Sequence, residues 1–130
     1  MKLALLVVLL PVTGTAFADG SFIDRAKRAK LVEDSPEGQA YQQELWSHVG
    51  DYTAAVMQRC FPNESEVDTD SFTLVADVSP SGHLSNVELE PSTPMSRCFA
   101  KNFSQAPFPV PAASFGEAGI PIIINMKIKP

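Results

Sequence analysis

Histidine and cysteine are scarce in this chain, two of each, and that scarcity leaves few candidates for histidine- or thiol-based catalysis. His48 and His83 are its only side chains suited to general-base work near neutral pH, and they do not sit at the spacing of a metal-binding pair. His48 falls beside the apolar stripe of a helix and reads as a packed helix residue; His83 follows a turn glycine and reads as solvated. No serine occupies a G-x-S-x-G elbow. A basic surplus is missing as well: 10 Lys and Arg stand against 15 Asp and Glu, a formal charge of −5, which disfavours nucleic acid and anionic membrane surfaces as partners. Long apolar runs are absent beyond the first residues, where Leu3 to Leu10 is too short for the roughly 20 residues a bilayer crossing takes.

What is present begins with an address. MKLALLVVLLPVTGTAFA combines Lys2, the apolar run, a break at Pro11 and the small-residue site Ala16-Phe17-Ala18, which predicts a signal peptide over residues 1–18, cut after Ala18. No acid lies in that segment and only Lys2 is lost with it, so the mature charge is 9 − 15 = −6. No membrane insertion is expected after cleavage, and the expected location is periplasmic or secreted. In such a compartment an even pair of cysteines, Cys60 and Cys98, reads as a disulfide before it reads as a metal site or a nucleophile.

Residues 19–35 read as a helical arm or linker. Arg25, Lys27, Arg28 and Lys30 resemble a basic patch, but Asp19, Asp24, Glu33 and Asp34 balance them, so a solvated arm is expected. Ser35 and Pro36 then suit a helix cap and first position, and Tyr41, Leu45, Val49, Tyr52, Val56 and Cys60 follow at steps of three and four, the stripe of one long helix. Phe61-Pro62 ends it. The acids of the next loop, Glu64, Glu66, Asp68 and Asp70, alternate in a way that suits calcium. The loop lacks the glycine and closing glutamate of an EF-hand, however, and reads as solvated.

Phe72, Leu74, Ala76 and Val78 alternate with Thr73, Val75 and Asp77, predicting a strand with one buried face. Ser79 to Gly82 makes a turn, and a second strand returns through Val87 and Leu89; Leu84, on the opposite parity, predicts a bulge. Thr93 and Pro94 open another helix with the stripe Met95, Cys98, Phe99 and Phe103. Gln105 to Pro111 is a stiff connector, and alternating apolar residues from Ile120 to Ile128 form a third strand.

Helix, strand, strand, helix, strand predicts an α+β domain over residues 36–130. A helical crossover favours parallel neighbours, so the sheet stays antiparallel only if the third strand pairs with the first, in the order 2-1-3. The third strand is then an edge, which suits Pro121. The same topology brings Cys60 and Cys98 to one end of the hairpin.

The run Leu74 to Leu84, then Val87, Glu90, Pro94, Cys98, Ala100, the FPVP of Phe108 to Pro111 and the closing apolar strand resemble the C-terminal domain shared by TonB and TolA, from about Tyr41 to Pro130. The resemblance implies a periplasmic protein-interaction module that receives an extended peptide at a sheet edge, with no enzyme activity and no cofactor. It departs from those families in having a cleavable signal and a short arm in place of a membrane helix and long spacer, and in placing the first cysteine on the helix.

Two other classes stand beside a binding module: a secreted inhibitor or effector acting on a protein of another cell, and a small exported hydrolase built on His48 or His83. The candidate partner-binding edge is Ile123, Ile124, Asn125, Met126 and Lys127; its competing reading is that Pro121, Lys127 and Lys129 guard the edge against pairing.

Overall fold

The computed structural model describes residues 21–60 and 71–127. The expected signal peptide, the acidic loop and the last three residues lie outside the described residues. The elements are α1 (Phe22–Asp34), α2 (Pro36–Cys60), β1 (Phe72–Val78), β2 (Leu84–Glu90), α3 (Pro94–Phe103), a 3-10 turn (Ala113–Phe115) and β3 (Ile120–Met126). The three strands form one antiparallel sheet in the order β2-β1-β3, as the sequence order predicts.

Local chemistry accounts for where the helices start. Ser21 caps α1 by accepting from Asp24 N–H, and the Ser35 hydroxyl accepts from Gly38 N–H at 3.1 Å to open α2. One residue therefore separates two helices. Their close approach demands glycine at position 38, where a Cβ would collide with the Val32 carbonyl. Thr93 and Ser96 form a reciprocal capping box around Pro94 at the head of α3.

The core lies on one face of the sheet. Phe72, Leu74, Ala76 and Val78 of β1 and Ile120, Ile122 and Ile124 of β3 pack there with Tyr41, Leu45, Val49 and Val56 of α2 and Phe99 and Phe103 of α3. Phe72, Phe99, Phe103 and Phe108 run through it as an aromatic chain with centroid spacings of 5.5, 5.2 and 5.2 Å. A Cys60–Cys98 disulfide, with Cα atoms 5.8 Å apart, ties the last turn of α2 to α3. Tyr41 and Tyr52 fasten the same layer by donating their hydroxyls to the carbonyls of Pro109 and Asn102, each at 2.9 Å. Burial pushes the Tyr41 phenol far up from its ordinary pKa, with the Glu44 charge adding to the effect.

The bulge falls where Leu84 predicts it. The β1–β2 register shifts between Val75 and Asp77, and Asn86 takes a left-handed φ of 52° to absorb the extra residue.

The solvated arm is corrected. Helix α1 packs mainly on β3, Ala29 is 1% exposed, and Arg25 reaches across the second face of the sheet to Asp77 and Glu88. β1 is therefore covered on both faces, and Val75, expected on the open side, is 1% exposed. The physical reason is one buried guanidinium with two carboxylate partners 52 and 63 positions downstream, a relation that local charge balance conceals.

Candidate functional site

Edge strand β3 has the register Phe72↔Met126 through Val78↔Ile120 against β1, and among the described residues no strand covers its other side. The direction of each backbone group follows from the neighbours of β1. Ser85 Oγ of β2 donates to the Asp77 carbonyl, so Asp77 points its backbone toward β2; the Val78 carbonyl points the other way, against Gly119 at the start of β3. In an antiparallel ladder successive residues alternate sides, so Phe72, Leu74, Ala76 and Val78 address β3. Their partners Met126, Ile124, Ile122 and Ile120 are engaged with β1. Pro121, Ile123 and Asn125 face outward.

That parity explains why a proline is tolerated here: its missing N–H falls on the open side. It also divides the five candidate edge residues. Ile123 and Asn125 turn their backbone donors and acceptors outward, where no strand among the described residues meets them, whereas Ile124 and Met126 spend theirs on β1. Lys127 follows the strand and is exposed. On the second face, the Asn125 side chain accepts from Thr73 Oγ1 at 2.8 Å, and Ile123 is half-buried on the sheet face that carries α1. The inner groups of the strand are thus engaged by the ladder to β1, while among the described residues no strand pairs with its outer ones.

A second polar locus lies on the α1 face. Arg25, 7% exposed, places Nη1 3.3 Å from Glu88 and Nη2 3.6 Å from Asp77, and Asn86 Nδ2 donates to the same Asp77 carboxylate at 3.1 Å. These groups border a cavity of about 170 Å³ with Arg28 and Val87. The cluster joins helix, central strand and bulge. It consumes its own charges, and we read it as a clasp for α1. Sequence reasoning missed it; the hairpin carries three acids, Asp77, Glu88 and Glu90, and nothing local marks the first two as partners of Arg25.

The two histidines are apart from both loci. His48 is exposed, donating Nδ1–H to the Glu44 carbonyl at 2.8 Å, which corrects its expected packing: it faces solvent, off the buried α2 stripe. His83 is exposed beside the turn, with its backbone N–H on Ser79 Oγ. Among the described residues no group of three or more His, Cys, Asp or Glu is placed to hold a metal ion, and no helix is long and apolar enough to cross a membrane. No protein-family model matches the chain, and no curated protein or solved structure matches it.

Proposed function

We propose that this chain is an exported, disulfide-bonded interaction module of the TonB/TolA C-terminal kind, which takes an extended segment of a partner protein beside β3 and carries out no catalysis. The observation that carries the reading is the outward parity of Pro121, Ile123 and Asn125 on a strand edge that no other strand pairs with among the described residues. Backbone pairing supplies affinity in this mode, and alternate side chains of the guest supply selectivity. The disulfide supports an oxidising location, periplasmic or secreted, and the Ala-x-Ala site supports release after Ala18.

The test uses the parity itself. Asn125→Pro deletes an outward donor, and with it the side-chain acceptor of Thr73, but leaves the backbone ladder to β1 complete, so the protein stays folded and loses its partner. Lys127→Glu keeps the backbone and alters binding modestly, in a salt-dependent way. The partner is first isolated by crosslinking from periplasmic and extracellular fractions, its binding segment mapped, and affinity measured with the synthetic segment. A folded Asn125→Pro protein that binds normally, alongside loss of binding in Glu88 or Glu90 variants, would place docking elsewhere and leave β3 a guarded edge.

A further inference from the structure

Pro121 stands where the outward ladder of β3 is incomplete. Two residues facing each other in a hydrogen-bonded antiparallel pair exchange two bonds, each giving its N–H to the other's carbonyl. A guest residue opposite Asn125 or Ile123 finds both groups. Opposite Pro121 it finds the carbonyl alone, and its own carbonyl is left without a donor. Cross-strand neighbours point to the same face, so the side chain of that guest residue falls on the side Pro121 shares with its β1 partner Asp77, which is the α1 side.

A hollow of about 380 Å³ lies on that side. Val32 of α1, Phe115 of the 3-10 turn, Ala118 and the Pro121 ring supply apolar walls, and Arg28 and Asp77 supply charge. Asp77 is already faced by Arg25 at 3.6 Å and by Asn86 at 3.1 Å, whereas Arg28 forms no ion pair among the described residues. A guanidinium without a carboxylate therefore lines the same hollow as the one outward position of β3 that lacks a donor.

We propose, on the footing of the β3 docking reading above, that the guest runs antiparallel to β3 and ends at Pro121, its C-terminal carboxylate on Arg28 and its last, apolar side chain in the hollow. β3 runs from Ile120 to Met126, so an antiparallel segment enters beside Asn125 and leaves beside Pro121. Its last carbonyl, which Pro121 cannot serve, is then half of a carboxylate, and a guanidinium donates to both oxygens at once. A parallel segment starting at Pro121 would instead set an ammonium against Arg28, a like-charge contact. A chain that continued past Pro121 would leave the unserved carbonyl neutral and bring Arg28 no charge.

The probes are heptapeptides of alternating threonine and valine with fluorescein at the amino end, the last residue varied through every amino acid, each made as the free acid and as the amide. Anisotropy is measured with the disulfide-intact protein and with Arg28→Gln, Arg28→Lys and Asn125→Pro, each shown folded by circular dichroism. Free acids ending in leucine, isoleucine or phenylalanine should bind with a Kd on the order of 10–100 μM, at least about 10-fold tighter than their amides. Arg28→Gln should remove that preference and leave amide binding as it was, Arg28→Lys should keep part of it, and Asn125→Pro should weaken acids and amides alike. Acids and amides that bind equally, or a preference that Arg28→Gln leaves intact, overturn the proposal; if both peptide forms are still lost in Asn125→Pro, the edge reading stands without it. An Arg28-dependent preference that survives Asn125→Pro overturns both, because the carboxylate is then held without strand pairing. Amides ending in aspartate or glutamate that match the best free acids overturn it by moving the charge to a side chain, and so does the absence of binding by any free acid up to about 1 mM.

Discussion

Replacing Arg25 with methionine keeps most of the aliphatic stem over the second sheet face and removes the charge that Asp77 and Glu88 share. The two partners differ in what they lose. The Asp77 side chain is 17% exposed and is left beside Asn86 with one neutral donor, whereas Glu88 is 46% exposed and recovers water. Breaking a fully buried pair by removing one member costs about 3–5 kcal/mol, and an exposed pair contributes about 0–1. With one partner largely enclosed and the other half in solvent, the loss should fall between, at about 2 kcal/mol. That corresponds to a fall in Tm of roughly 10 °C for a domain of this size. Part of the loss should be local. Helix α1 is joined to α2 through Ser35 alone, so it can lift while the disulfide-bonded core stays closed, and trypsin should then cut at Lys27, Arg28 or Lys30 faster than the core unfolds. Urea melts give the global term and native-state proteolysis the local one. A cycle with Asp77→Asn isolates the pair, and a coupling near zero, or an Arg25→Met protein whose α1 resists trypsin as well as the parent, would refute the clasp.

Reducing the Cys60–Cys98 disulfide, which closes a separation of 38 residues, should destabilise the domain by about 4 kcal/mol in the chain-entropy account, read as a shift in the urea midpoint with an unchanged far-ultraviolet spectrum below it. Tyr41→Phe should cost about 1–2 kcal/mol, because the buried Pro109 carbonyl loses its donor. Tyr41 titrates above its unfolded pKa of about 10, so its contribution is complete below that pH and is lost as the pH climbs beyond it; the phenylalanine variant should lack this alkaline component, and identical alkaline profiles would count against it. Gly119→Ala should destabilise by at least about 2 kcal/mol, since φ is +75° and the new Cβ would collide with the Val78 carbonyl; a thermal midpoint equal to that of the parent would contradict this.

The elements were legible because each is written in local chemistry. The steps from Tyr41 to Cys60, the Ser-Pro and Thr-Pro helix starts, and the alternations of β1 and β3 are periodicities that no tertiary contact has to supply. Strand order followed from chain connectivity, and Leu84 on the wrong parity disclosed the bulge at Asn86. Of the edge, the sequence disclosed that Pro121 belongs to it. Which of Ile123, Ile124, Asn125 and Met126 look outward depends on which side of β1 each backbone group takes, and this is fixed by Ser85 and Gly119 from other elements.

The amino-acid sequence by itself determined the three strands and the helices, because spacing and turn residues act within a few positions of themselves, and, through chain connectivity and an even cysteine count, the antiparallel order and the cysteine pair. Tertiary structure alone decided that α1 is a layer of the fold. Arg25 meets Asp77 and Glu88 only after the hairpin has paired, and a charge that looks solvated in a balanced run becomes a buried clasp once two distant carboxylates compensate its desolvation.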